Sequence, residues 1–294
     1  MTHVAFLLAP QVHLLDLAGP AQVFAEAADF GYPYTLSYVA DQEDVPSAQG
    51  LSLKAATEWP ALTANDIVIV PGWKGEAPLN VKKLAAHHAQ GGMVASICSG
   101  ADALGRAGLL DGRRCTTHHQ LQDELARRYP RARLIKDVLY TVDGRVVTSA
   151  GVASGIDLAL HLVAAEHGPA AAARVAREMV VYARRNGDEP QASVMLRHRA
   201  HLSDVVHRVQ DLIDNRYTDR LPLADLATAS QVSERTLTRL FAASTGVTPL
   251  RYQQLLRVER AEHLIGHGST VEAAARAVGF EDARMLRRLR ARAC

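Results

Sequence analysis

Residues 96–112, SICSGADALGRAGLLDG, set a single cysteine between an apolar run and a helix-like stretch that begins with glycine and small residues. A buried strand that breaks sharply into a helix at a nucleophile is an elbow, and Ser96 and Gly100 are small enough to let such a turn close around Cys98. The partial positive charge at the N-terminus of the following helix lowers a thiol pKa, so the pattern predicts a thiolate that serves as nucleophile or sensor. A cysteine at the end of a buried strand is equally at home as a small hydrophobe, and the local pattern leaves both uses open.

A second set of residues suits different chemistry. Residues 191–294 hold 16 basic and 11 acidic side chains, and every basic one is arginine, whereas residues 1–190 hold 17 basic and 20 acidic. Arginine offers planar, bidentate hydrogen bonding to phosphates and guanine edges, which points to nucleic acid. In LADLATASQVSERTLTRLF, residues 223–241, Ala227 permits a close helix crossing and Ser233 can cap the helix that follows. Over 234–244, Leu237, Leu240 and Phe241 share one face and Arg235, Thr236 and Arg239 fall elsewhere. Residues near the start of a recognition helix reach base edges in the major groove, which makes Arg235 and Arg239 the leading candidates and Thr236 a further one.

The elements that must carry these residues divide into two kinds. Up to about residue 185, short apolar runs (VAFLL, YTLSYVA, DIVIV, MVASI, RVVTSAG) alternate with helical patterns. That alternation predicts an α/β fold, a mostly parallel sheet flanked by helices, with DIVIV and MVASI as central strands. Helices are expected over 16–28, over 151–167 with a stop at Gly168 and Pro169, and over 170–185. RNGDEPQAS, residues 185–193, has the composition of a linker, so a first domain is expected over 1–188 and an all-α helix-turn-helix domain over 189–294. The segments 223–241 and 271–289 share a weak internal likeness, as duplicated helix-turn-helix units would.

Composition removes several classes. No apolar stretch approaches the roughly 20 residues of a membrane span, and the first apolar run lacks the basic flank of a signal peptide, so a cytoplasmic protein with no membrane partner is expected. Cys98, Cys115 and Cys294 are an odd number without metal-like spacing, which suggests neither a disulfide framework nor a zinc site; no metal or cofactor is expected.

The run TASQVSERTLTRLFAASTGVTPLRYQQLLRVERAEHLI resembles the AraC/XylS family of transcriptional activators in its SxRTLxRxF core, TGxTPxxY turn and RxxRAxxLI helix, followed by a VxxxAxxVGF segment. The resemblance implies two helix-turn-helix units joined by a long helix over 249–265, capped by Thr248, with both recognition helices in successive major grooves of double-stranded DNA. It extends the DNA-contacting set to Arg284 and Arg287. Family members continue through a further turn and helix, whereas this sequence finishes in ARMLRRLRARAC, with five arginines in its last eleven residues. The second unit is therefore expected to be truncated, with Val278, Phe280 and Leu286 uncovered and the residues after about 279 poorly fixed.

SICSGADALGRAGLLDGRRCTTHH, DLAGPAQVF, IVIVPG and VTSAGVASGIDLALHLV together resemble the ThiJ/PfpI superfamily of class I glutamine amidotransferase-like domains, a flavodoxin-like sandwich. The resemblance carries the elbow cysteine to Cys98, the N-terminal carboxylate to Asp16 and the histidine of the TTH segment to His118. It departs at Ser99, where the superfamily's proteases have histidine, at His119, where close relatives have tryptophan, and at Cys115, where they have alanine. A pocket is expected at the carboxyl ends of the strands, lined by Asp16, Gly72, Cys98, Ser99, Gly100, His118 and the turn from Ser149 through Gly151 to Val152. Three readings follow: a homodimeric regulator controlled by a small-molecule effector of unknown identity, a cysteine-dependent enzyme resembling isonitrile hydratase, and a redox switch at Cys98. A DNA-binding tail favours the first, because a complete enzyme has no need of it.

Overall fold

The computed structural model describes residues 1–75, 80–181, 185–191, 193–266 and 268–291. The chain forms two compact units, Met1–Gln191 and Ala192–Cys294.

In the first unit, the apolar runs become β1 (Thr2–Leu8), β2 (Tyr34–Ala40), β3 (Ile67–Val70), β4 (Met93–Ile97), β5 (Tyr140–Asp143) and β6 (Val146–Ser149). Among the described residues they form one sheet in the order β2-β1-β3-β4-β6-β5, parallel throughout except for β5 against β6. β3 and β4 are central and almost wholly buried, as strands covered on both faces must be. One face is covered by α1 (Leu14–Asp29), α5 (Ser154–His167) and α6 (Pro169–Glu178), with Phe24, Leu158 and Val175 in the core beneath them. The other is covered by α2 (Lys82–Ala89), α3 (Ala101–Arg106) and α4 (Gln122–Arg128), packed through Leu84, Leu104 and Leu125. The connections out of β1 and β3 run in opposite directions across the sheet, which opens a crevice at their carboxyl ends.

Several expected boundaries move. α5 starts at Ser154 rather than 151, because Gly151 has φ +99° and forms the turn before it. α6 stops at Glu178 rather than 185; residues 182–184 lie outside the described set. Residues 189–191 belong with the first unit: the Leu139 N–H donates to the Glu189 carbonyl at 3.1 Å, and Gln191 Nε2 donates to the carbonyls of Thr117 and Val138, each at 2.9 Å.

The second unit is helical: the single turn α7 (Val194–Arg197), then α8 (Asp204–Asn215), α9 (Leu223–Ala229), α10 (Glu234–Thr245), α11 (Pro249–Gly266), α12 (Val271–Ala277) and α13 (Ala283–Arg290). One apolar cluster joins α8, α9 and α10 to the first half of α11 through Ile213, Leu226, Leu237, Phe241 and Tyr252. Another joins α12 and α13 to its second half through Val258, Ala261, Ala274 and Leu286.

Over residues 280–291 the fold does not show the poorly fixed segment expected from the sequence. Val278, Phe280 and Leu286 are buried at 1%, 6% and 0% exposure, and α13 is formed. The cover comes from α11: Val258 and Ala261 pack into the cluster, and the Arg257 guanidinium lies over the Phe280 ring at 5.5 Å. Arg257 also donates to the carbonyls of Tyr217 (2.6 Å), Asp219 (2.8 Å) and Gly279 (2.8 Å). Burial of an apolar side chain of this size contributes about 1.5–3 kcal/mol, enough to hold an eight-residue helix that would not form alone. Arg292 and Cys294 lie outside the described residues.

Candidate functional site

β4 ends at Ile97 in extended backbone, and the next residue, Cys98, takes φ +55° before a single tight turn leads into α3. A side chain in that left-handed region is strained, and so is the β-branched Val152, with φ +51°, in the loop after β6. Both strained residues meet the same carboxylate. The Val152 N–H donates to Asp16 Oδ1 at 2.6 Å, while Cys98 stands beside the same carboxyl, whose Oδ2 is buried without a hydrogen-bond partner among the described residues. Asp16, in the first turn of α1, is 1% exposed.

Glycine is needed where these parts meet. A Cβ at Gly72 would stand 2.4 Å from Asp16 Oδ2 and 2.9 Å from Cys98 Cβ, and one at Gly151 would stand 2.3 Å from Cys98 Cβ. Gly100 faces the Val70 carbonyl, at which a Cβ would stand 2.1 Å away. It closes the elbow from behind and is not among the described residues that line the cavity above Cys98.

The electrostatics reverse one expectation. Burial, followed by the adjacent Asp16 charge, pushes the Cys98 thiol up to about 12, against a smaller downward pull from the Ser99 amide. The helix N-terminus does not win, because burial penalises the thiolate most and the Asp16 charge adds to it, while a one-turn approach exposes little dipole. At neutral pH the thiol is protonated. Burial likewise raises the Asp16 carboxyl, opposed by the Val152 amide, His13 and Cys98.

A cavity of about 1170 Å³ opens above this pair, lined by His13, Asp16, Trp73, Cys98, His118 and Arg128 among others. Ser99 also lines it, but its hydroxyl is committed: it accepts from the Trp73 N–H and donates to the Trp73 carbonyl, both at 2.8 Å. His118 reaches the cavity from the turn before α4, and burial and the neighbouring His119 and His13 hold its pKa below the ordinary value. Ser149 does not reach the cavity: it is fully buried at the end of β6.

Most of the other lining residues escaped the reading of the sequence, among them Trp73, His13, Asp102 and Arg128. Trp73 directly follows the IVIVPG motif and His13 lies three residues before DLAGPAQVF, so both stand just outside motifs already singled out. Asp102 and Arg128 pair across the mouth at 2.9 Å, with the Tyr129 hydroxyl donating to the same Asp102 oxygen at 2.7 Å. That pairing joins α3 to the end of α4 and has no sequence signal. Among the described residues no three His, Cys, Asp or Glu side chains are placed to hold a metal ion.

In the second unit, Ser233 Oγ caps α10 by accepting from the Thr236 N–H at 3.2 Å and donates to Thr236 Oγ1 at 2.9 Å. Both hydroxyls therefore build the cap. Leu237 and Phe241 are buried beneath α10, while Arg235 and Arg239 are exposed one turn apart. On α13, Arg284 is exposed, but Arg287 pairs with Glu272 on α12. That exposed pair ties α12 to α13.

Residues 2–165 match the model of the DJ-1/PfpI family. The chain belongs to the DJ-1/PfpI family. Behind its DJ-1/PfpI unit, residues 226–293 match a helix-turn-helix domain, here of AraC type. The chain is 30% identical over 270 residues to the HTH-type transcriptional regulator CdhR of Pseudomonas aeruginosa, covering 88% of this chain and 79% of that one. It is 36% identical over 167 residues to an isonitrile hydratase of Pseudomonas putida, covering 54% of this chain and 69% of the enzyme. In fold it is similar to a crystal structure of a ThiJ/PfpI family protein from Pseudomonas syringae, with TM-score 0.55 and 23% identity over 78% of this chain and 88% of that one. No described helix of this DJ-1/PfpI protein is long and apolar enough to cross a membrane.

Proposed function

We propose that this DNA-binding transcriptional regulator senses a small polar metabolite in the cavity over Cys98, and that occupancy alters DNA binding by the helix-turn-helix unit. The observation that carries this reading is the convergence of two strained residues, Cys98 and Val152, on one buried carboxylate facing a cavity. Strain of about 1–3 kcal/mol per residue is retained where a site needs the geometry. Ligand contacts would come from Asp16, Cys98 and His118, with Gly72 and Gly151 giving the pair room. Arg235, Arg239 and Arg284 would contact DNA, and two protomers joined through the first unit would span two half-sites.

A cysteine-dependent hydratase is a second reading, favoured by the isonitrile hydratase relative and by the Cys98–Asp16 pair. The regulator reading is preferred because a helix-turn-helix unit follows the site in the same chain, and because a thiol held protonated by burial is a weak nucleophile. The same protonation argues against rapid oxidation of Cys98 as the signal.

The test is a thermal-shift screen of small metabolites on the full chain, followed by DNA binding with each hit. An effector present at 100 times its Kd stabilises the fold by about 2.7 kcal/mol. The expected hit raises Tm in the natural protein, fails to do so in Asp16→Asn, and changes DNA affinity. A hit that is turned over, or that leaves DNA affinity untouched, would sink the proposal.

A further inference from the structure

The two recognition helices are more alike than their spacing in the sequence suggests. Asp282 caps α13 as Ser233 caps α10: its Oδ1 accepts from the N–H groups of Arg284 (2.7 Å) and Met285 (3.1 Å). Counted from each cap, the fourth residue is a leucine at 0% exposure, Leu237 in one helix and Leu286 in the other. The seventh, Leu240 or Leu289, packs into the cluster beneath its helix. On that register the second and sixth residues are Arg235 and Arg239 on α10, and Arg284 and Arg288 on α13. All four are exposed, and none forms an ion pair among the described residues. Arg287 occupies the fifth position, where α10 has Thr238, and is tied to Glu272. The likeness is hidden because the turn between α12 and α13 is one residue longer than that between α9 and α10.

We propose that the two helices read the same short element, so that one protomer's site on DNA contains two copies of one guanine-containing element about one helical turn apart. Arg288 is then the second reader's counterpart of Arg239. Four residues along a helix advance by about 6 Å, so each arginine pair reaches bases about two base pairs apart. A bidentate arginine on the major-groove edge selects guanine. The readers sit on opposite halves of α11, whose 18 residues span about 27 Å, comparable to the 34–36 Å of one DNA turn. The inference rests on α10 entering the major groove.

The test selects binding sites for the full chain from a random duplex pool and then measures affinities of variants for the enriched site. Two copies of one element are expected. Arg239→Ala and Arg288→Ala should each lose roughly five- to hundredfold discrimination for guanine, at the same offset but in different copies. Arg288→Lys should keep most of the overall affinity and lose that discrimination, because lysine lacks the bidentate fork. Arg287→Ala should weaken all sequences alike. Enrichment of two unlike elements, or of a single one, overturns the proposal while leaving α10 as a reader. No enrichment of any sequence overturns both.

Discussion

The two candidate sites are built in opposite senses. At the elbow of the first unit the functional groups are buried and held by strained backbone, so Asp16, Cys98 and Val152 define both the fold and the chemistry. On α10 and α13, Arg235, Arg239, Arg284 and Arg288 stand in solvent, and the buried residues beneath them, Leu237, Phe241 and Leu286, carry the stability. Stability and function are therefore coupled in one region and separable in the other.

The largest test of that contrast is Gly151→Val. With φ +99° and a Cβ 2.3 Å from Cys98 Cβ, the substitution should cost about 3–5 kcal/mol and lower the first transition in calorimetry by roughly 10 °C. An unchanged Tm would mean that the elbow is not rigid. Next is the double variant Arg235→Ala, Arg239→Ala, which should lose about 1–3 kcal/mol of DNA affinity for each base-contacting arginine with no change in melting. A fall in Tm with affinity intact would reverse the assignment.

A smaller effect sharpens the buried side. Asp16→Asn removes a negative charge beside the thiol, so Cys98 should ionise at lower pH and its alkylation rate at pH 8 should rise several-fold. A slower rate would show that Asp16 activates the thiol instead. The linked effect on stability follows from the raised thiol pKa. Below pH 9, the ordinary thiol value here, folded and unfolded chains are both protonated and the stability is fully present; it is lost as pH rises from 9 towards about 12. Cys98→Ala should flatten that alkaline loss in urea titrations. The smallest change is expected at Arg290→Ala, which breaks an exposed pair with Glu262 and should cost about 0–1 kcal/mol.

The apolar runs made the sheet legible because central parallel strands are buried on both faces and leave continuous hydrophobic segments. The elbow was legible for a related reason, since small residues around Cys98 mark a tight turn. What the sequence concealed was competition and cover. Burial and a neighbouring carboxylate raise the same thiol that a helix N-terminus would lower, and the depth of burial is not written in the local sequence. The burial of Val278, Phe280 and Leu286 likewise depended on α11, a helix whose contribution to that cluster lies well upstream in the chain. The Asp102–Arg128 pair at the cavity mouth joins residues with no shared periodicity.

The guanidinium of Arg257 has a consequence for how the second unit opens. Its hydrogen bonds gather carbonyls from the segment before the first reader, Tyr217 and Asp219, and from the turn inside the second, Gly279. Neither half can loosen without breaking bonds held by the other. The pair of readers should therefore exchange their amide protons as one cooperative foldon, and a lesion in one reader should propagate to the other rather than leave a half-active protein.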